Sequence, residues 1–236
     1  MARTLEECER MTKACDGAGI PLFVAQVVRF FPEYTLAKAQ IESGAIGNPA
    51  AIRTRRGGPM PRAWNDWYAD FNLSGGLILD LIIHDFDWLR WTFGEVERVF
   101  ARGLTDTKLP EFDYALVILR FKSGAIAHVE GSWNYPAGFG VNFEIAGDEG
   151  LLEYNFTQPT GTPLNKVLRG TDEKRAGVAL PESPTGTDPY QVELEHFLTC
   201  LENGTTPLIT PQDGTEAVRI AIAAIESAKT GRAITL

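Results

Sequence analysis

The stretch YALVILRFKSGAIAHVEGSW, residues 114–133, decides the fold. From Ala125 to Trp133 small or apolar residues alternate with polar ones, the period-two signature of a strand with one buried face. The Lys122-Ser-Gly turn before it joins this strand to the apolar run that precedes it, as in an antiparallel hairpin. Reading outward, strands are expected near 96–104, 112–121, 125–133, 141–146 and 150–155, with Gly147-Asp-Glu-Gly closing a second hairpin.

Toward the N-terminus, Thr4 and Glu7 form a capping box for a helix that Gly17 and Gly19 end. Pro21-Leu-Phe-Val-Ala-Gln-Val-Val is nearly continuously apolar, as expected of a strand buried on both faces of a parallel sheet. A helix over 32–43, a strand over 50–55 and a loop over 57–73 follow, then one long helix from about Ser74 to Thr92. Beyond the strands, residues 156–187 are rich in Pro, Gly and Thr and are expected to form an extended arm. Asp188-Pro189 and Thr210-Pro211 open two final helices, the last stopped by Gly231. The expected class is α+β: an open-faced, mostly antiparallel sheet with helices packed on one face.

The 236 residues carry 44% hydrophobic and 22% charged side chains, ordinary values for a globular chain that buries a core. A net charge of −9 repels phosphate backbones and anionic membranes, so no nucleic acid and no membrane is expected as a partner. Arg53, Arg55 and Arg56 are the local exception, read as solvated or as contacts for an anionic substrate. The most apolar run, Leu77–Ile83, is short and contains Asp80, too little for a span. Cys8 and Cys15 lie about 10.5 Å apart along one helix, beyond the roughly 7 Å that a disulfide bridges. A reduced, cytoplasmic protein is expected.

The chemistry is concentrated in Ser74-Gly-Gly-Leu-Ile-Leu-Asp-Leu-Ile-Ile-His-Asp-Phe-Asp-Trp-Leu-Arg-Trp. On one continuous helix, Asp80, His84, Asp87 and Trp91 would share a stripe. Most other directions around that helix are apolar, so it is expected to be buried. A buried carboxylate one turn from an imidazole must be hydrogen-bonded or open to a cavity. Three readings stay open: a structural pair satisfied by backbone, a functional dyad, or a metal site for which no third ligand is evident. As a dyad, His84 suits the general base that takes the hydroxyl proton during alcohol oxidation, with Asp80 orienting that hydroxyl.

The loop before this helix gathers Trp64, Trp67 and Tyr68 beside Asn65, Asp66 and Asp70. Aromatic faces next to carboxylates and amides suit a polyhydroxylated ring, although the same aromatics could simply pack the loop down. No G-x-G-x-x-G opens a helix after a strand; Gly17-Ala-Gly19 precedes a strand and reads as a helix stop.

With these residues in view, the chain resembles the Gfo/Idh/MocA family of oxidoreductases, which includes glucose–fructose oxidoreductase and inositol dehydrogenase. Ala2-Arg-Thr-Leu-Glu-Glu, Val28-Arg-Phe-Phe-Pro, Ser43-Gly-Ala-Ile-Gly, Ser74-Gly-Gly with Asp80 and His84-Asp-Phe-Asp, and Glu144-Ile-Ala-Gly-Asp-Glu-Gly carry the resemblance in order along the chain. It implies that Asp80 and His84 are the catalytic pair and that Arg29, Trp64, Trp67, Tyr68 and Asp87 line a sugar or polyol site. It also implies NAD or NADP as cofactor, and a homo-oligomer, dimer or tetramer, built through the open sheet. In the family a Rossmann half ending in Glu-Lys-Pro comes first. Residues 1–27 would then be the last helix and strand of that domain, and 28–236 the substrate-binding and oligomerisation domain. The dinucleotide fingerprint and catalytic lysine are expected to be missing, and this chain alone is not expected to bind NAD(P) or turn over. The competing expectation is a non-catalytic module, derived from the same family, that binds a carbohydrate-like ligand or a partner. The residue 21–27 strand, without its neighbour, is expected to pair with another chain or to rearrange.

Overall fold

The computed structural model describes residues 1–104, 113–135, 138–155 and 188–236. Seven strands form one mixed sheet: β1 (Pro49–Gly57), β2 (Val96–Leu104), β3 (Tyr114–Phe121), β4 (Ile126–Ser132), β5 (Gly140–Gly147), β6 (Leu151–Asn155) and the two-residue β7 (Ile234–Thr235). Their order across the sheet is β6-β5-β1-β4-β3-β2-β7. Every neighbouring pair is antiparallel except β1 with β4. The fold is α+β, and its five principal strands lie where the alternation placed them.

Alternation explains the two faces. Ile52 stands opposite Ala127 and Ile145, and Val117 opposite Val129 and Ala101. All six are almost fully buried. One residue along, Arg53, His128, Ile118 and Phe100 make the corresponding row on the other face, where Arg53 and His128 are exposed and Ile118 and Phe100 half-buried. That face is open.

The inner face is covered by α2 (Pro32–Glu42), the short α4 (Gly76–Asp80), α5 (Ile83–Phe93) and α7 (Pro211–Thr230). Ile220, Ala221 and Ala224 of α7 join the main core, and the Ser227 hydroxyl of the same helix accepts from the Ala101 amide. On its outer side α7 holds α1 (Leu5–Ala18), where Cys8 packs with Ala217 and Val218. The α6 helix (Pro189–Asn203) begins at the Asp188 cap as the sequence predicts. Cys8, Cys15 and Cys200 are all free thiols. Among the described residues no helix is long and apolar enough to cross a membrane. The arm expected over 156–187 lies outside the described residues.

Two expectations are corrected. Residues 21–26 form no strand. With no ladder to join, their side chains pack instead: Phe23 stacks on Phe197 of α6 at 4.6 Å, and Val24 and Gln26 are buried. A 3-10 turn, Val27–Phe30, then leads into α2. The long helix expected over 74–92 is two pieces, α4 and α5, preceded by the four-residue α3 (Phe71–Ser74). Gly75 and Gly76 both have positive φ, and a Cβ on Gly76 would stand 2.3 Å from the Phe71 ring, so the chain turns there on glycine. At Leu81–Ile82 the helix breaks a second time. Ile82 drives its Cγ2 methyl over β4 at Gly131, where a Cβ would lie only 2.5 Å away.

Candidate active site

The second break changes the expected stripe. His84, Asp87 and Trp91 do share a face of α5, and all three look toward the 3-10 turn before α2. His84 Nδ1 lies 2.9 Å from Gln26 Oε1. Asp87 receives two hydrogen bonds from Arg29, Nε to Oδ2 and Nη2 to Oδ1, each 2.7 Å. The Trp91 ring lies under the Arg29 guanidinium at 5.2 Å and the Lys38 ammonium at 4.8 Å. Asp80 stands across the break, as the last residue of α4.

Arg29 and Asp87 are therefore not placed as the sequence suggested. Both are sealed in the interior and satisfy one another, with Arg29 also reaching Asp213 at 3.5 Å and the Leu208 carbonyl at 3.2 Å. They brace the site and do not line it. Arg56, expected in solvent or on a ligand, is likewise buried: its Nε meets Asp85 Oδ2 at 2.6 Å and its Nη2 donates to the Tyr34 hydroxyl at 3.0 Å. Each polar residue of His84-Asp85-Phe86-Asp87 thus fixes α5 to a different partner, through Gln26, Arg56 and Arg29.

Asp80 and His84 are half-buried, and no hydrogen bond joins them. Burial raises the Asp80 carboxyl to about 6, so it is an anion at neutral pH but close to titrating. Burial, with the positive charges of Arg56 and the chain's amino group, lowers His84 to about 3. The expected imidazole titrating near neutrality is replaced by one that is neutral throughout the physiological range. Tyr68 is raised by its own burial and then by the Asp80 charge, which places its phenol within the same electrostatic neighbourhood.

The aromatic loop arches over this region. A 3-10 segment, Trp64–Ala69, contains Asn65 and Asp66 in the left-handed region, an uncommon conformation for non-glycine residues. Trp64 is 84% exposed, whereas Trp67 and Tyr68 pack edge to face at 4.9 Å. Tyr68 in turn meets Trp133 at 6.3 Å, just beyond the end of β4. The Trp133 indole nitrogen is buried without a hydrogen-bond partner among the described residues. The Ser74 hydroxyl ties the loop to α4, donating to the Tyr68 carbonyl and accepting from the Gly76 amide, both at 3.1 Å. Tyr68 is thus held beside Trp133 at the carboxyl end of β4, and Ile82, between Asp80 and His84, packs on Gly131 of the same strand. The broad cleft of about 920 Å³ between α1 and Leu73 is a separate feature, lined by Arg3, Arg10, Met11 and Lys13 among others and by neither Asp80 nor His84.

A sequence model of the GFO/IDH/MocA C-terminal domain matches residues 34–153. The chain is 30% identical over its whole length to the myo-inositol 2-dehydrogenase of Thermotoga maritima, of which it covers 70%. It is 31% identical over 99% of its length to the NAD(+)-linked scyllo-inositol 2-dehydrogenase of Bacillus subtilis, covering 68% of that protein. The crystal structure of a probable dehydrogenase from Thermotoga maritima superposes with a TM-score of 0.81 at 30% identity, over 99% of this chain and 71% of that one.

The chain belongs to the GFO/IDH/MocA family.

Within this GFO/IDH/MocA chain the residues that sequence reasoning missed are Gln26, Tyr34, Asp85 and Trp133. Gln26 had a visible signal, since it is the one polar residue inside the apolar run 22–28. Asp85 had another, as an acid between His84 and Phe86 on a helix that must be buried. Tyr34 and Trp133 had none, because their roles depend on contacts distant in sequence. No three His, Cys, Asp or Glu side chains converge as a metal site among the described residues.

Proposed function

We propose that this chain forms the alcohol-binding and proton-transfer side of an NAD(P)-dependent oxidoreductase acting on a sugar, an inositol or a related polyol. The observation that carries the reading is the placement of Asp80 and His84. A half-buried carboxylate and a neutral imidazole flank one helix break that packs on Gly131 of β4, and the Asp80 charge acts on Tyr68 of the aromatic loop. Relatives named as inositol dehydrogenases point to the same substrate class.

Oxidation of a secondary alcohol removes a hydroxyl proton and a hydride. The hydride would pass to a nicotinamide when one is bound. What these residues fit is the proton. In this reading His84, neutral and with a free lone pair, accepts the hydroxyl proton as general base. Asp80, anionic at neutral pH, balances the imidazolium as it forms and orients the substrate by accepting from a neighbouring hydroxyl of the ring. Trp64 offers a free aromatic face for the C–H side of the ring, with Trp67 and Tyr68 behind it. The open sheet face, with exposed Leu116 and Ile126 between charged neighbours, is the surface assigned to homo-oligomer formation.

The test is calorimetric titration of the purified chain with myo-inositol, scyllo-inositol, glucose and xylose, then with NAD(H) and NADP(H). Saturable polyol or sugar binding that weakens at least tenfold in Asp80→Asn is expected, with no nicotinamide binding. Where turnover is obtained with a supplied cofactor-binding partner, His84→Ala is expected to abolish it. Sugar binding unaffected by Asp80→Asn would overturn the assignment, and retained turnover in His84→Ala would remove His84 from the mechanism.

A further inference from the structure

We infer that Gln26 is a positioning residue, whose side-chain carbonyl holds His84 in the tautomer protonated at Nδ1 and leaves the Nε2 lone pair as the proton acceptor. The inference rests on the alcohol-oxidising reading for its purpose, but not for its geometry.

A neutral imidazole has one N–H donor and one acceptor nitrogen, and a hydrogen bond made by one decides the state of the other. Gln26 Oε1 can only accept. At 2.9 Å from Nδ1 it requires the hydrogen to be on Nδ1. Gln26 is 3% exposed, so bulk water does not compete for that carbonyl. Burial and two nearby positive charges keep His84 uncharged, which makes the tautomer the property left to be set.

The backbone holds the glutamine in place. Its amide donates to the Val24 carbonyl at 3.2 Å, and its carbonyl accepts from the Arg29 amide at 3.1 Å. Arg29 is itself clamped to Asp87. Residues 26 and 29 on one element therefore meet residues 84 and 87 on the other, a matched spacing of three that fixes the register of α5 against the 3-10 turn. The side chain that orients His84 sits one turn from a buried two-pronged ion pair, an arrangement that preorganises it. An amide is also the suitable acceptor chemically. A carboxylate at the same place would favour the imidazolium, which cannot accept a proton.

Long-range proton–nitrogen correlation spectra of the imidazoles test this on the full chain at neutral pH, with His84 assigned by its loss in His84→Phe. Wild type is expected to show an Nδ1 shift of the protonated kind and an Nε2 shift of the unprotonated kind. Gln26→Leu is expected to lose that pattern, moving His84 toward the Nε2–H form or a mixture. Gln26→Glu, which keeps an acceptor but adds a charge, is expected to keep the hydrogen on Nδ1 and to move Nε2 toward the protonated kind as well. An Nε2–H tautomer in wild type would overturn the inference, whether or not Gln26→Leu folds, and so would an unchanged pattern in a folded Gln26→Leu. These readouts need no substrate or cofactor, so a failure of the proposed activity is distinguishable from a failure of this assignment.

Discussion

Arg29 and Asp87 lie 58 residues apart in sequence and meet through two hydrogen bonds of 2.7 Å, with 2% and 1% of their surfaces exposed. A pair buried so completely is not a ligand site; it is a brace between the 3-10 turn and α5. Removing one partner leaves a charge in the interior without its counter-ion. Arg29→Met or Asp87→Leu is therefore expected to destabilise the fold by about 3–5 kcal/mol. The double substitution Arg29→Met with Asp87→Leu is expected to recover a large part of that loss, because neither charge is then stranded. Urea denaturation of the three variants measures it, and additive losses in the double variant would disprove the coupling.

Glu193 presents the opposite case. It is 4% exposed, its Oε1 has no hydrogen-bond partner, and burial raises its carboxyl to about 7. Because the folded value lies above the ordinary 4.5, folding favours the protonated acid. Its contribution to stability is complete below about pH 4.5 and is lost as pH rises through 7. Glu193→Gln keeps the shape without the charge, and is expected to stabilise the fold at pH 8 by on the order of 1 kcal/mol. Thermal melts across pH 4 to 9 give the test, the difference between variant and wild type shrinking toward zero at the acid end.

The strands were legible in the sequence because a half-buried strand repeats every two residues. Ala127 and Val129 face in and His128 faces out whatever the rest of the chain does. The caps at Thr4, Asp188 and Thr210 were legible for a similar reason, since each is satisfied within three residues. What could not be read locally was decided by distant contacts. The apolar run 21–27 has strand composition, yet Phe23 packs on Phe197 and Val24 on Gly214 of α7. The motif around His84 showed polar groups on a buried helix but not their partners: whether Asp87 faced a ligand or an arginine depended on where Arg29 came to lie.

Ile82 and Gly131 make the helix break testable. A Cβ on Gly131 would approach Ile82 Cγ2 to 2.5 Å, so Gly131→Ala forces the methyl or the strand to move. A loss of about 1–3 kcal/mol is expected. Ile82→Ala vacates that space at its own cost, and in combination with Gly131→Ala the two losses are expected to sum to less than their separate values. A double-mutant cycle by chemical denaturation checks this, and strict additivity would show that the contact does not set the break.

Trp64 separates binding from stability. At 84% exposure it packs on little, and Trp64→Ala is expected to change stability by no more than about 0.5 kcal/mol. If its face stacks on a sugar or inositol ring, the same substitution is expected to weaken ligand binding about tenfold. Intrinsic fluorescence gives a second measurement, since quenching on ligand addition should disappear in the variant. Unchanged affinity would remove Trp64 from the site.

Asp80 should show a trade between stability and function. Burial raises its carboxyl to about 6 from an ordinary 3.8, so the fold favours the acid over the carboxylate. Stability from this group is complete below about pH 4 and is lost as pH rises through 6. Asp80→Asn removes the buried charge and is expected to be more stable than wild type at pH 7.5 by about 1 kcal/mol, allowing for partial exposure. Below pH 4 the two proteins should melt alike. The same substitution deletes the anion proposed to orient the substrate, so the more stable variant should be the poorer binder and the poorer catalyst. A carbon-13 titration of the Asp80 carboxyl supplies the independent check, with a midpoint near 6. A midpoint at the ordinary value, or an Asp80→Asn protein less stable than wild type at pH 7.5, would show that this carboxylate is not held in the fold against a desolvation penalty.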